Sequence, residues 1–238
     1  MKWRIGCSGF YYKDWKQVFY PKGLAQKDWF KYYCQHFNTI EINSTFYKIP
    51  TQKSFSKWYD ESPDDFLFTI KAPRLISHYK QLNDCEQLIS DFYEAIQLGL
   101  KEKLGCALFQ FPPKFDYNEQ RLKLLIDLLN PELKNVVEFR HLSWFEEEVY
   151  KKLAKNKIIF SGQSYPSALP DDIIQNTATV YYRFHGKPVL YKSEYDISVI
   201  KDFKNQVGDK ADEVFVYFNN TWGTAALQNA QQLKDLTK

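Results

Sequence analysis

Four cysteines and four histidines are all that the 238 residues provide, and Cys7, Cys34, Cys85 and Cys106 form no CxxC pair. This spacing excludes a zinc-ribbon framework and a disulfide scaffold, leaving reduced, mostly buried thiols as the expectation. Core packing against helices suits Cys7 and Cys106 better than nucleophilic work. No apolar run reaches membrane-spanning length, and the chain opens Met-Lys-Trp-Arg-Ile-Gly without an apolar signal segment, so it reads as cytoplasmic, with no membrane partner. An excess of one charge is missing too: the net charge of +3 is too small to argue nucleic-acid binding by itself. There is no low-complexity stretch, linker or short repeat, and residues 1–238 read as a single domain.

What is present is a large apolar share, 44 % of residues, enough for one sizeable core, and an aromatic share of 18 %, part of which must lie near the surface. Strand-like runs fall at residues 3–8, 38–44, 66–71, 105–111, 135–140, 157–162, 178–185 and 213–218. Helical spacing separates nearly all of them. Trp29, Tyr33 and Phe37 form one stripe, Leu122, Leu125, Ile126 and Leu129 a second, and Phe145, Val149 and Leu153 a third. Weaker helical patterns cover 52–60, 86–98, 194–206 and 223–235. The sixth connection, Gln163 to Thr177, is irregular around Pro166 and Pro170, with one helical turn expected at Asp171 to Gln175.

The strands carry polar groups on one alternating face near their C-terminal ends. In Asn38-Thr-Ile-Glu-Ile-Asn43, the side chains of Thr39, Glu41 and Asn43 point one way and those of Ile40 and Ile42 the other. Glu138 with Arg140, Arg183 with His185, and Tyr217 with Asn219 share faces in the same manner, while Lys71 and Gln110 close two further strands. Polar residues recurring in this way need one another or a ligand as partners. Alternating strands and helices favour a parallel sheet, and eight such units fit a single closed (β/α)8 TIM barrel with an irregular sixth βα unit. In that fold the polar faces converge on one mouth.

The segments Ile5-Gly-Cys-Ser-Gly-Phe-Tyr-Tyr-Lys-Asp-Trp15, Phe37-Asn-Thr-Ile-Glu-Ile-Asn-Ser-Thr-Phe-Tyr47, Lys71-Ala-Pro-Arg74, Phe109-Gln-Phe-Pro-Pro113, Val137-Glu-Phe-Arg-His-Leu-Ser-Trp144, Arg183-Phe-His-Gly186 and Tyr217-Phe-Asn-Asn220 span almost the whole chain. In them the sequence resembles the DUF72, or YecE-like, family of TIM-barrel proteins. The resemblance implies the barrel but no reaction, because fold alone does not settle function. Where many relatives carry an Asp after strand six, this chain has Gln163-Ser164.

At the inferred mouth Glu41, Glu138 and His185 are candidates for proton transfer, against the alternative of structural ion pairs. Lys71 is a candidate Schiff-base lysine, against the more ordinary expectation of an ion pair with Glu41 or Glu138. Arg140 and Arg183, with Lys71, suit an anionic ligand gripped in bidentate fashion. The loops His185-Gly-Lys187 and Asn219 to Thr224 stand where barrels often bind phosphate. Asn43, Gln110, Tyr217, Asn219 and Tyr12 are candidates for orienting substrate, and Tyr11, Tyr12 and Tyr47 for an aromatic wall, with Trp15 and Phe46 expected to pack beneath the loops. A divalent metal on Glu41, Glu138 and His185 is disfavoured by the surrounding cations, so no metal and no cofactor is expected. The leading expectation is a metal-independent enzyme acting on a small anionic, phosphorylated or sugar-like molecule. The alternatives are a nucleic-acid-binding or phosphodiester-cleaving protein and a non-catalytic binding module.

Overall fold

The computed structural model describes all 238 residues. Nine strands are present: β1 (Lys2–Cys7), β2 (Thr39–Ile42), β3 (Leu67–Lys71), β4 (Leu104–Gln110), β5 (Asn135–Glu138), β6 (Ile158–Phe160), β7 (Gly162–Ser164), β8 (Thr179–Phe184) and β9 (Glu213–Phe218). They pair in parallel as β2-β3-β4-β5-β6 and β1-β9-β8-β7. One continuous segment joins the two sheets, because β6 pairs with β5 while β7, one residue further on, pairs with β8. Together β6 and β7 are the sixth staves of an eight-stranded barrel.

At the opposite seam side chains replace the backbone ladder between β1 and β2. Asn38 accepts from Ile5 N through Oδ1 at 3.1 Å and donates from Nδ2 to Trp3 O at 2.9 Å, copying the two groups of a peptide unit. The Tyr33 hydroxyl accepts from Cys7 N at 2.7 Å and donates to Thr39 O at 3.1 Å. Gly6 permits the approach, since a Cβ there would stand 2.2 Å from Thr39 O. Side-chain hydrogen bonds thus bridge the β1/β2 seam, while the strand ladder itself stays divided into two sheets.

The connections carry α1 (Trp29–Tyr33), α2 (Gln52–Glu61), α3 (Glu86–Leu100), α4 (Glu119–Leu128), α5 (Glu147–Lys155), α6 (Ile197–Gln206) and, after β9, α7 (Ala225–Leu236). Local chemistry sets several starts. Asn118 accepts from Arg121 N at the head of α4, and Asp196 accepts from Ser198 N at the head of α6, each at 2.8 Å. Phe37 lies beyond the end of α1 but is buried with Trp29 and Tyr33, so the stripe is real although the helix is short. The sixth connection has no helix, and the turn expected at Asp171 to Gln175 does not form. Pro170 precedes it, Tyr182 takes Asp171 O into a 2.7 Å hydrogen bond, and Asn176 bonds Phe160 N and Ile158 O, drawing the chain out along the barrel wall.

Outward-facing residues such as Ile40, Ile42, Ile70 and Val137 pack against the helices in the main core, and a smaller core fills the barrel itself. Cys7 belongs to the first. Cys106 belongs to the second, together with Leu108, Val136, Tyr181 and Phe215, which corrects the expectation that it packs against helices. It shares its alternation phase with Leu108 and Gln110, and burial pushes its thiol up to about 12. The N-terminal end is closed by Glu213, held by Arg4 at 3.0 Å and Lys134 at 2.5 Å. No helix is long and apolar enough to cross a membrane.

Candidate functional site

The alternating faces converge at the C-terminal end of the barrel as expected. Arg183, on β8, lies between two carboxylates. Its Nη2 donates to Glu41 Oε1 at 2.6 Å and its Nη1 to Glu138 Oε2 at 2.8 Å, and all three side chains are at most 1 % exposed. Glu41 is further bound by the Ser8 hydroxyl at 2.7 Å, the Asn43 amide at 3.1 Å and the Tyr181 hydroxyl at 2.6 Å. Glu138 faces Arg140 Nη2 at 2.5 Å, an ionic contact bent away from hydrogen-bond geometry. Burial alone would raise the Glu138 carboxyl, but Arg140 and Arg183 hold it well below the usual carboxylate range. Burial opposes the charge on Arg183 too, and its two carboxylates more than offset that.

Arg140 donates to His185 Nε2 at 2.9 Å, and the Asn219 amide lies 3.0 Å from Nδ1 of the same ring. Burial, reinforced by Arg140 and Arg183, drives the imidazole pKa well below its ordinary value, so His185 is neutral at pH 7. The Arg140 guanidinium lies 3.7 Å from the ring centre of Tyr165. Its Nη1 has no hydrogen-bond partner, although its side chain is only 7 % exposed. Asn43 Oδ1 and Gln163 Oε1 are also buried without partners. Gln163 donates from Nε2 to Phe139 O at 2.8 Å.

Lys71 departs from the sequence expectation. It forms no ion pair with Glu41 or Glu138, because Arg183 and Arg140 occupy both carboxylates. Its Nζ donates to Gln110 Oε1 at 3.0 Å and lies 4.1 Å from the ring centre of Phe46. Phe46 is thus part of the site and not only packing beneath a loop. Burial, with the neighbouring Arg183 adding to it, lowers the Lys71 pKa to about 7. Gln110 also donates to Phe111 O at 2.9 Å, and its amide nitrogen reaches to 3.5 Å from His78, a ring that sequence reading passed over. Burial, then Lys71 and Arg140, lower His78 to about 4.

Three residues have a different place from the one their sequence suggested. Tyr217 is fully buried below the mouth, its hydroxyl 2.6 Å from Thr39 Oγ1 and 2.9 Å from Thr69 Oγ1. It braces the barrel interior. Arg183 is an internal counter-ion for both carboxylates, and its buried Nε has no hydrogen-bond partner. Tyr12 donates to Ser8 O at 2.6 Å and steadies the loop that presents Ser8 to Glu41. Trp15 is buried as expected, with Nε1 on Gly223 O at 2.9 Å. Lys187 reaches away to Asp171 at 2.6 Å. Ser8 and Tyr181 were missed, although each shares the inward phase of its strand.

Around the mouth the loops that follow the strands hold Tyr11, Tyr47, Tyr79, Tyr191 and Trp222, all substantially exposed. Cations lie against three of these rings. Arg74 is 5.5 Å from Tyr47 and 5.3 Å from Tyr79, and Lys192 is 4.0 Å from Trp222.

A buried cluster of charged and polar side chains at the strand ends of a parallel barrel defines the class, a TIM-barrel-like α/β protein with a candidate site at the C-terminal strand ends. The chain belongs to the family described as "Protein of unknown function DUF72", whose sequence model matches residues 4–238. It is 26 % identical to the UPF0759 protein YunF of Bacillus subtilis over 98 % of this chain and 93 % of that one. It is 34 % identical to the UPF0759 protein YecE of Escherichia coli over 58 % of this chain and 54 % of that one. A crystal structure of a DUF72 family protein from Thermotoga maritima superposes with a TM-score of 0.89 at 31 % identity, covering 100 % of this chain and 99 % of that one. A second, from Enterococcus faecalis, gives 0.85 at 21 % identity, covering 98 % and 94 %, a likeness of fold. No specific function is established for the family by these relatives.

Proposed function

We propose that the protein is a metal-independent enzyme that binds a small anionic molecule, phosphorylated or sugar-like, at the barrel mouth. The observation that carries this reading is the buried, unpartnered Nη1 of Arg140, beside a lysine that no carboxylate neutralises. An unsatisfied buried donor costs about 1–3 kcal/mol, more when charged, and an anionic oxygen would remove that cost. Asn43 Oδ1 and Gln163 Oε1 are unpaired acceptors that suit hydroxyl groups. Glu41 and Glu138 are ion-paired, which supports a holding role for them, and Lys71, its pKa lowered to about 7, suits proton transfer near neutral pH. The metal-independent reading is supported by the competition of Arg140 and Arg183 for the carboxylates a metal would need.

Calorimetric titration with inorganic phosphate and with small hydroxy and keto acids tests the reading. Binding by the native chain that is weakened about tenfold or more in Arg140→Met, an effect of about 1.4 kcal/mol, supports it. Equal affinity in the two proteins, with the fold intact, contradicts it.

The exposed aromatic rings and cations of the rim favour a second reading, contact with single-stranded nucleic acid through base stacking. The two readings differ in salt dependence. Several phosphate contacts release counterions together and give a steep slope, whereas one anionic group gives a shallow one.

A further inference from the structure

Lys71 is the last residue of β3, and its side chain turns inward beside the two carboxylates at the mouth. The side chain is sequestered, yet it lacks the partner that buried lysines ordinarily need. Elsewhere in this fold Lys103 shows the ordinary solution, with Nζ on Tyr59 O at 2.8 Å, Ser62 O at 2.8 Å and Ser62 Oγ at 3.1 Å. Lys71 has one neutral amide oxygen and the face of Phe46. Burial and Arg183 disfavour a further positive charge here, and Glu138 and Glu41, each already paired with an arginine, offset that only in part and form no ion pair with Lys71. The outcome is an amine that is poorly solvated, without an ion pair, and in the same charged cluster as Arg183 and Arg140.

We propose that Lys71 forms an imine with a small aldehyde or ketone whose carboxylate or phosphate is held by Arg140. This rests on the small-anion reading of the mouth. The lone pair of the neutral Lys71 Nζ forms the carbon–nitrogen bond while the carbonyl π pair moves to oxygen. Both amine hydrogens leave with that oxygen as one molecule of water, giving the neutral imine, which then takes one proton to become the iminium. No oxidant, reductant or metal enters this balance. The supporting condition is a free-amine fraction at neutral pH, which the lowered Lys71 pKa of about 7 provides. Gln110 Oε1 holds Nζ toward the mouth, and Phe46 shields the nitrogen from bulk water.

The test treats the full chain with glyoxylate, pyruvate or glycolaldehyde phosphate and then sodium borohydride, and maps the reduced adduct by peptide mass. One probe is expected to label the Lys71 peptide about tenfold above any other lysine peptide, with the yield rising through pH 7. Lys71→Met and Lys71→Gln are expected to lose that adduct, and peptide mapping of the native chain decides the matter even where neither variant folds. Lactate or glycerol phosphate, which lack a carbonyl, should bind without trapping. Binding of the carbonyl probes with no Lys71 adduct overturns the imine and leaves the anion site standing. Failure of every anion to bind overturns both.

Discussion

Lys71 Nζ donates to Gln110 Oε1 across 3.0 Å, and the carboxylates of Glu41 and Glu138 are bound instead by the two arginines. This division separates the mouth into a neutralised part, centred on Arg183, and an unneutralised part made by Lys71 and the free edge of Arg140. The first supports the barrel and the second faces the proposed ligand.

Removing Arg183 leaves two buried carboxylates without their shared counter-ion, so Arg183→Met is expected to destabilise the fold by about 3–5 kcal/mol at pH 7. The sign with pH follows from Glu138. Its folded-state pKa is depressed, so it contributes stability above the unfolded carboxylate pKa that is lost as pH falls through the folded value. In the variant the Glu138 carboxyl protonates more readily, and the gap between the two proteins should narrow toward acid. Urea denaturation at pH 7 and pH 4.5 measures both effects.

Lys71 gives the same sign at higher pH for the opposite reason, because the fold disfavours its charged form. Its folded pKa lies below its ordinary value, so between about 7 and 10.5 the unfolded chain holds a proton that the folded chain lacks, and stability rises with pH across that window. Lys71→Met should therefore be more stable than the native chain, by on the order of 3 kcal/mol below pH 7, with the gain fading toward pH 10. Thermal denaturation at pH 6 and pH 9.5 checks it.

Tyr217→Phe separates the interior from the site. Loss of the contacts to Thr39 and Thr69 should cost about 1–3 kcal/mol, because two threonine hydroxyls are left in the barrel interior without that partner. Phosphate affinity should be unchanged. A variant that loses binding with its stability intact would return Tyr217 to the ligand site.

Oligonucleotide binding distinguishes the rim from the mouth. We expect weak affinity for single strands at physiological salt with a shallow salt slope, since the cations seen at the rim, Arg74 and Lys192, lie against separate rings and form no continuous stripe. Tight binding that falls steeply with salt and is lost in Trp222→Ala would favour the nucleic-acid reading.

The barrel and most of the site were legible because strand side chains alternate strictly, so Glu41, Glu138, Lys71, Arg140, Arg183 and His185 could be placed on inward faces without coordinates. Depth along the barrel axis was not legible. Alternate strands fill alternate layers, and a shared phase therefore did not distinguish Tyr217, down among Thr39 and Thr69, from Asn219 beside His185. Pairing was equally hidden, since two carboxylates and three cations permit several matchings and only the strand stagger selects Arg183 as the shared partner. Cys106 was misplaced because its phase was read as alternating with the inward positions, whereas it shares the phase of Leu108 and Gln110.

The most direct measurement is an NMR titration of the Lys71 ζ position in lysine-labelled protein, with Lys71→Met providing the assignment. The account predicts a midpoint near 7, well below the ordinary 10.5, and an upward shift when phosphate or a small carboxylate saturates the mouth, because a bound anion favours the ammonium. A midpoint near 10.5 that no anion moves would contradict it.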